Sequence, residues 1–585
     1  MSRLLWPKKT ISFYNPKAES VSLVIDSLDI CWSMKPNDRG YWSIKPSLPF
    51  KDFKNLSYHF RVEENGKIRK ITDPTARRLG MFNKNCESYF ADLNYQFRNR
   101  YFYTTPFHKI VIYETHLPAL TRHASAKLPV PRYKGTYLGP SSEFILEYLQ
   151  NLSVAVEFLP LHYNDEELGK DWGYYSKNYH SMRVDFAVNK DTVNNEVMQL
   201  VDSLHGKKIP VILDVVFNHG AELWVKAWGE DIVYRQLDNG DYCNGSGCGE
   251  TINTEHSHIR QTIIDSLLYL VNQYRFDGFR FDLGALHDIE TMLEIDKKLP
   301  NRIYLISEPW ALSGSKWGKG EMSSVFAKTR WAIWNDDFRE SGKTFIKGKG
   351  DHHNRDLLMR GIVGSHVDDG GWALRPQQCI NYISCHDGKT LNDLVKGDKQ
   401  RVFLAIFLVL TSQGIPMLGE GSEMLYSKQG HDNSYDCPDL NQLNWDDAQK
   451  HSDLVKAVAR LIALRKQFSH FRYRGHLKVN DKKKSDWNID WIYPTGFPHN
   501  DNVNAIGYLL RRPSGLINWN RDQHTLLILM NGSHSGVNFQ LPKGKWKVLV
   551  DGFHIKTDIN GISITPPAKN HYHLHPGTCA MLTPN

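Results

Sequence analysis

Hydrophobic and polar positions divide the 585-residue chain into three stretches of different period. Residues 1–105 carry short alternating runs, such as Ser-Leu-Val-Ile at 22–25 and Tyr-His-Phe-Arg-Val at 58–62, broken by Pro, Gly, Asn and Asp. A period of two between turn formers predicts a small N-terminal β-sandwich. The polar, aromatic stretch 94–105 reads as its linker. Over residues 106–470 apolar runs alternate with helical periodicity, the pattern of a parallel sheet. Strands are expected at 110–114, 154–160, 210–217, 278–283, 303–308, 379–384 and 415–418, with an eighth at 331–334. Helices are expected at 193–205, 259–274 and 454–468, and the apolar run 402–410 reads as a buried helix, too short to span a bilayer. Eight such strands predict a (β/α)₈ TIM barrel. Residues 471–585 return to strands and turns, at 525–530 and 546–550 for instance, predicting a C-terminal antiparallel β-sandwich. The expected architecture is a multidomain chain with a catalytic barrel between two β-domains.

Polar residues gather where the predicted barrel strands end, the face on which such barrels do chemistry. The run Phe279-Arg280-Phe281-Asp282 alternates, so the two rings leave one side of a strand and the charged pair leaves the other. A buried carboxylate needs donors, and Arg280 beside Asp282 supplies them and keeps the acid ionised, as a nucleophile requires. Other strands end in Asp214 with Asn218 and His219, in Glu308 with Pro309 and Trp310, and in His386 with Asp387. Singly, each is more often structural. Together at successive strand ends they are hard to explain as core, because a core does not collect groups that need partners. Such a set can hydrolyse a glycoside: one carboxylate attacks the anomeric carbon while a protonated one serves the departing oxygen. Asp282 suits the first task. Glu308, with Pro309 and Trp310 to desolvate it and raise its pKa, suits the second, the two carboxyls standing about 5–5.5 Å apart for double displacement. Asp387 and the imidazoles of His219 and His386 would bond sugar hydroxyls. The two histidines lack the close spacing of a metal-binding pair, and no metal is assigned.

Composition adds little. The chain has 41% hydrophobic, 23% charged and 12% aromatic residues, with 16 Trp and 27 Tyr, so it is globular and rich in the rings that stack on sugars. The net charge of +8 is spread along the chain, and the one dense run, Lys482 to Lys484, reads as a solvated loop. Neither a nucleic acid nor a membrane partner is expected. The N-terminus carries no apolar leader run, and Cys243 and Cys248 have no second pair to make a zinc site. A cytoplasmic protein with reduced thiols is the expectation.

Four motifs, Asp214-Val215-Val216-Phe217-Asn218-His219, Gly278-Phe279-Arg280-Phe281-Asp282, Ile306-Ser307-Glu308-Pro309-Trp310 and Ser384-Cys385-His386-Asp387, resemble in order and spacing those of the α-amylase superfamily, glycoside hydrolase family thirteen. The resemblance implies Asp282 as nucleophile, Glu308 as general acid/base and Asp387 as transition-state stabiliser. It implies Arg280, His219 and His386 as the lining of the subsite for the attacked sugar, Tyr174 as its stacking ring, Asp214 as a supporting carboxylate and Trp310 among the substrate-binding residues. Asn218 matches a position that binds calcium in α-amylases, but no cofactor is assigned. The loops 244–249, 334–339 and 432–435 are similar to those of the debranching branch: pullulanases, isoamylases and bacterial glycogen debranching enzymes. The N-terminal stretch ending in Asp73-Pro74-Thr75-Ala76 is similar to a family forty-eight carbohydrate-binding module, although Trp32 and Trp42 read as packing residues. Tyr175-Ser176, His180-Ser181-Met182 and Lys389 depart from the branch and bear on donor-side preference. The implied activity is retaining hydrolysis of α-1,6 branch linkages in glycogen, limit dextrins or pullulan-like α-glucans. The alternatives are a 1,4-α-glucan branching enzyme or α-1,4-acting amylase with the same triad, and a non-catalytic glucan-binding protein.

Overall fold

The computed structural model describes residues 10–80, 86–165, 171–479, 487–495, 504–512, 525–555, 562–564 and 571–584. The lysine run 482–484 lies outside them. Eight parallel strands close into a barrel: β1 (Ile112–Thr115), β2 (Ala155–Phe158), β3 (Val211–Val215), β4 (Gly278–Phe281), β5 (Tyr304–Ser307), β6 (Trp331–Trp334), β7 (Cys379–Asn381) and β8 (Ile415–Gly419), which pairs back onto β1. Alternation sorts the side chains as expected. Val211, Leu213, Val215, Phe279 and Phe281 pack outward with the helices, whereas Ile112, Ile212, Ile306, Trp334, Ile380 and Met417 fill the inside. The same alternation turns Asp214 and Arg280 inward, opposite each other in the β3–β4 register.

The helices form where the 3.6-residue period placed them. They include α1 (Val193–Gly206), α2 (Ser257–Tyr269), α3 (Lys399–Thr411) and α4 (Ser452–Gln467). The period expected to run to residue 274 loosens after Tyr269 into one π-turn, Leu270–Tyr274, which ends with Arg275 in the left-handed region at φ 66°. On α3 every residue from Arg401 to Thr411 is buried, because the helix packs on β8, on α4 and on the strand Thr578–Pro584. No helix of the described residues is long and apolar enough to cross a membrane.

Before the barrel, two antiparallel sheets face each other, one holding Ile11–Tyr14 and Tyr41–Ile44, the other Ser20–Ile25 and Ser57–Glu64. Phe13 meets Phe60 across the layer at 4.5 Å between ring centroids. Trp42 is buried there and Trp32 packs edge-on against Phe53. The stretch 94–105 has no regular structure and is tied to α1, with the Arg98 and Asn99 N–H groups donating to the Asp202 carboxylate at 2.8 and 2.9 Å. After the barrel, a twisted sheet built around Ala505–Arg511, Thr525–Asn531 and Thr578–Pro584 is covered by the ribbon of Val537–Gln540 and His571–Leu574, with Leu529, Phe539 and Leu574 between them.

Candidate active site

The centre of the barrel mouth is one guanidinium. Arg280, the last inward-facing residue of β4, is fully buried over the Trp334 ring, 4.2 Å from its centroid. It donates from one terminal nitrogen to Asp214 Oδ2 at 2.6 Å and to Asp282 Oδ1 at 3.1 Å. Its other terminal nitrogen donates to Glu308 Oε1. Three carboxyls around one cation cannot all stay charged out of water, so at least one is driven to keep its proton. Glu308 is the group most affected. Burial pushes its pKa up to about 8, against the pull of Arg280 and with a further push from Asp282. Asp214 is raised to about 6, again by burial and again opposed by Arg280.

The chain strains locally to build this contact. Leu283, directly after Asp282, sits at φ 40°, a region that costs a branched side chain about 1–3 kcal/mol. In that geometry its N–H donates to Glu308 Oε2 at 2.8 Å, so the backbone that carries one carboxyl also holds the other.

Around this centre the remaining predicted residues divide by what they touch. Asn218 donates its amide to Asp282 Oδ2 at 2.7 Å and to the Asp282 carbonyl at 2.8 Å, and its oxygen meets His219 Nδ1. With both ends of its amide engaged, Asn218 serves as an orienter of Asp282. His219 stands with Nε2 2.8 Å from the Tyr174 carbonyl and Nδ1 against the Asn218 amide oxygen, so both its ring nitrogens face protein atoms. Tyr174 lies parallel to His386 at 5.0 Å and is pinned by donation of its hydroxyl to Asp214 Oδ2 at 2.6 Å. Gly173, at φ 91°, makes the turn that aims it; a Cβ there would stand 2.9 Å from the Pro160 carbonyl. Trp310 is half-buried against the inner core, with the Arg339 guanidinium 5.5 Å from its ring.

His386 is gripped by Glu114, which the sequence reading passed over. The Glu114 carboxylate accepts the His386 backbone N–H and its Nδ1–H, each at 2.7 Å. Burial opposes charge on this imidazole, but Asp387 and Glu114 outweigh it and raise its pKa to about 9. Its Nε2 stands 3.7 Å from Asp387, whose carboxylate is 58% exposed at the rim. Lys428 closes this side by donating to the His386 carbonyl at 2.7 Å. Glu114 had a legible signal: it is the inward-facing polar residue at the end of the first predicted strand. Lys428 had none, because it arrives on a loop.

No protein-family model matches the chain. Over 470 residues it is 29% identical to the "glycogen operon protein GlgX homolog" of Mycobacterium tuberculosis, covering 67% of this chain and 63% of that protein. The chain therefore spans under two thirds of those mycobacterial relatives. It is 28% identical over 519 residues to the glycogen debranching enzyme of Yersinia enterocolitica, covering 76% of this chain and 74% of the other. Among solved structures it matches a pullulanase from Bacillus acidopullulyticus with a TM-score of 0.85 and 26% identity, over 98% of this chain and 73% of that one. In its ordered strand-end motifs, its closed barrel between β-domains and these relatives, the chain resembles the glycogen debranching enzymes and pullulanases of the α-amylase superfamily.

Proposed function

We propose that the chain is a retaining α-1,6-glucan hydrolase, a debranching enzyme whose substrates are glycogen, its limit dextrins or pullulan-like glucans. The observation that carries this reading is the single buried guanidinium that binds Asp214, Asp282 and Glu308 together. It gathers the Asp282 carboxyl and a Glu308 that burial keeps protonated onto one cation, the kind of pair that double displacement uses. Glu308, protonated up to about pH 8, gives its proton to the departing O6 of the branch point while Asp282 attacks the anomeric carbon. Forming the glycosyl ester removes the Asp282 charge. That charge is one of the causes raising Glu308, so its loss lowers the Glu308 pKa just when the side chain must accept a proton from the attacking water. His386, kept cationic beside Asp387, donates from Nε2 toward sugar hydroxyls, and Tyr174 presents a fixed ring face to the attacked sugar. Asp387, exposed at the rim, approaches the ring as positive charge develops on it. The glucan names of the relatives, glycogen debranching enzyme and pullulanase, support the same substrate class.

The test is a product profile. New reducing ends are expected from pullulan and from phosphorylase-limit glycogen, and none from linear amylose. Cleavage of amylose alone would overturn the reading. A fall in amylose iodine staining without new reducing ends would make the chain a branching transferase.

A further inference from the structure

Two buried acids inside the barrel each carry an oxygen that no protein group serves. Glu157, on β2, is 1% exposed and its Oε2 has no hydrogen-bond partner. Asp214, on β3, is equally buried and its Oδ1 has none either. Arg280 and Tyr174 both donate to the other Asp214 oxygen, Oδ2, each at 2.6 Å. Buried polar atoms in folded proteins are nearly always satisfied, so two orphaned carboxyl oxygens in one interior call for a donor.

Strand geometry puts these acids side by side. Glu157 is level with Glu114 on β1 and with Ile212 on β3. Ile112, Ala155 and Ile212 face the inside, so the period of two turns Glu114, Glu157 and Asp214 inward as well. Glu157 therefore stands between two acids, and the two differ in what they can still accept. Both Glu114 oxygens are taken by His386, through its backbone N–H and Nδ1–H. Asp214 Oδ1 is the acceptor left over.

The charges around Glu157 decide its state. Glu114 faces it from β1, Asp214 from β3, Arg280 from β4 and His386 from the end of β7. Arg280 already divides its charge among Asp214, Asp282 and Glu308, and His386 is already held by Glu114. A further carboxylate here would lack a counter-ion of its own, which out of water costs more than keeping a proton. Burial, Glu114 and Asp214 all push the Glu157 pKa well above its ordinary value, against Arg280 and His386. A neutral carboxyl differs from a carboxylate in having an O–H to give, directly or across one buried water. We propose that Glu157 is a positioning residue, a protonated acid beneath the catalytic carboxyls that donates its O–H to Asp214 Oδ1, a role resting on the hydrolase reading above. Held from both oxygens, Asp214 stays ionised, keeps Tyr174 fixed and keeps Arg280 between Asp282 and Glu308. Without that donor Asp214 takes up a proton more readily, and its hold on both partners loosens.

The experiment uses two variants of the full chain. Glu157→Gln is neutral and keeps a donor, whereas Glu157→Met keeps the bulk and has none. The first readout is carbon NMR of the chain labelled at its Glu carboxyls. One resonance is expected to stay at the position of a protonated acid at about pH 9, above the Glu308 value of about 8, and to vanish in Glu157→Gln. Loss of an ionised-acid resonance instead overturns the proposal. The second readout is the acid limb of kcat/KM on a short singly branched maltooligosaccharide, a limb to which Asp214, raised to about 6, contributes. Glu157→Gln is expected to leave that limb in place, and Glu157→Met to move it up by roughly one pH unit. A downward move in Glu157→Gln would mean that a negative charge had been removed, and would overturn the proposal. So would a limb unmoved in a folded Glu157→Met, since a merely structural role lowers Tm and turnover without shifting it. If Glu157→Met folds poorly, the NMR and the Glu157→Gln profile still decide. A chain inactive on every branched substrate would remove the hydrolase reading, while the NMR would still settle the Glu157 proton.

Discussion

Arg280 is where the protonation of the site is decided, because its charge is divided among three acids. Glu308 holds its proton until about pH 8, so the initial rate should fall as pH rises through that value. Replacing Glu308→Gln is expected to lower kcat roughly 10²–10⁴-fold and to abolish that alkaline limb, as pH–rate profiles of the two proteins will show. Stability carries the same sign. A carboxyl whose folded pKa is raised stabilises the fold fully below its unfolded value of about 4.5 and loses that contribution as pH rises through about 8. The Tm gain of Glu308→Gln should therefore be larger at about pH 9 than at about pH 4. For His386, Glu114→Gln removes one of the two charges holding the imidazole at about 9, and its NMR titration midpoint should move down. An unmoved midpoint would mean that Asp387 alone sustains the charge. Asp282, Glu308 and Arg280 were legible in the sequence because alternation on a strand sends them inward whatever the neighbours do. The occupation of His219 was not legible, since its partners, Tyr174 and Asn218, arrive from a different loop and a neighbouring backbone.

Among the elements, the barrel strands and long helices follow directly from their periods. The short strand β6 does too: Trp331 and Ile333 pack outward while Ala332 and Trp334 face the inside, as a period of two demands. For α3 the apolar run is the signal of burial on every side, since a helix with one wet face keeps a polar stripe. Leu404→Ala on α3 is expected to cost about 2–5 kcal/mol, read as a lower denaturant midpoint with an unchanged slope. The π-turn after α2 and the left-handed Leu283 could not be read. Nothing in Leu270–Tyr274 or in Leu283 disfavours ordinary geometry; both conformations are imposed from outside, and at Leu283 the return is an N–H aimed at Glu308.

Across the whole molecule, the barrel is tied to the β-domains on either side by buried polar contacts. On the N-terminal side, Asn178 and Trp224 donate to the Pro74 carbonyl and Ser181 to that of Ala76. On the C-terminal side, Arg401 of α3 donates to the carbonyls of Ile346, Gly532 and Ser533 at 2.6, 2.7 and 2.9 Å. Arg401→Met keeps the bulk and removes those donors, and should cost roughly 3 kcal/mol or more. The checks are a lower urea midpoint and, below the transition, unchanged kcat. By itself the amino-acid order determined the class of each stretch, the inward turn of Arg280 and Asp282 and the carboxyl pair, because these depend on periods of two and 3.6 that act over a few neighbouring residues. Only the tertiary structure decided that one guanidinium serves three acids, that Glu114 grips His386 and that Glu157 stands between Glu114 and Asp214. Each of these is a meeting of side chains distant in sequence, and which groups meet depends on how the whole chain closes.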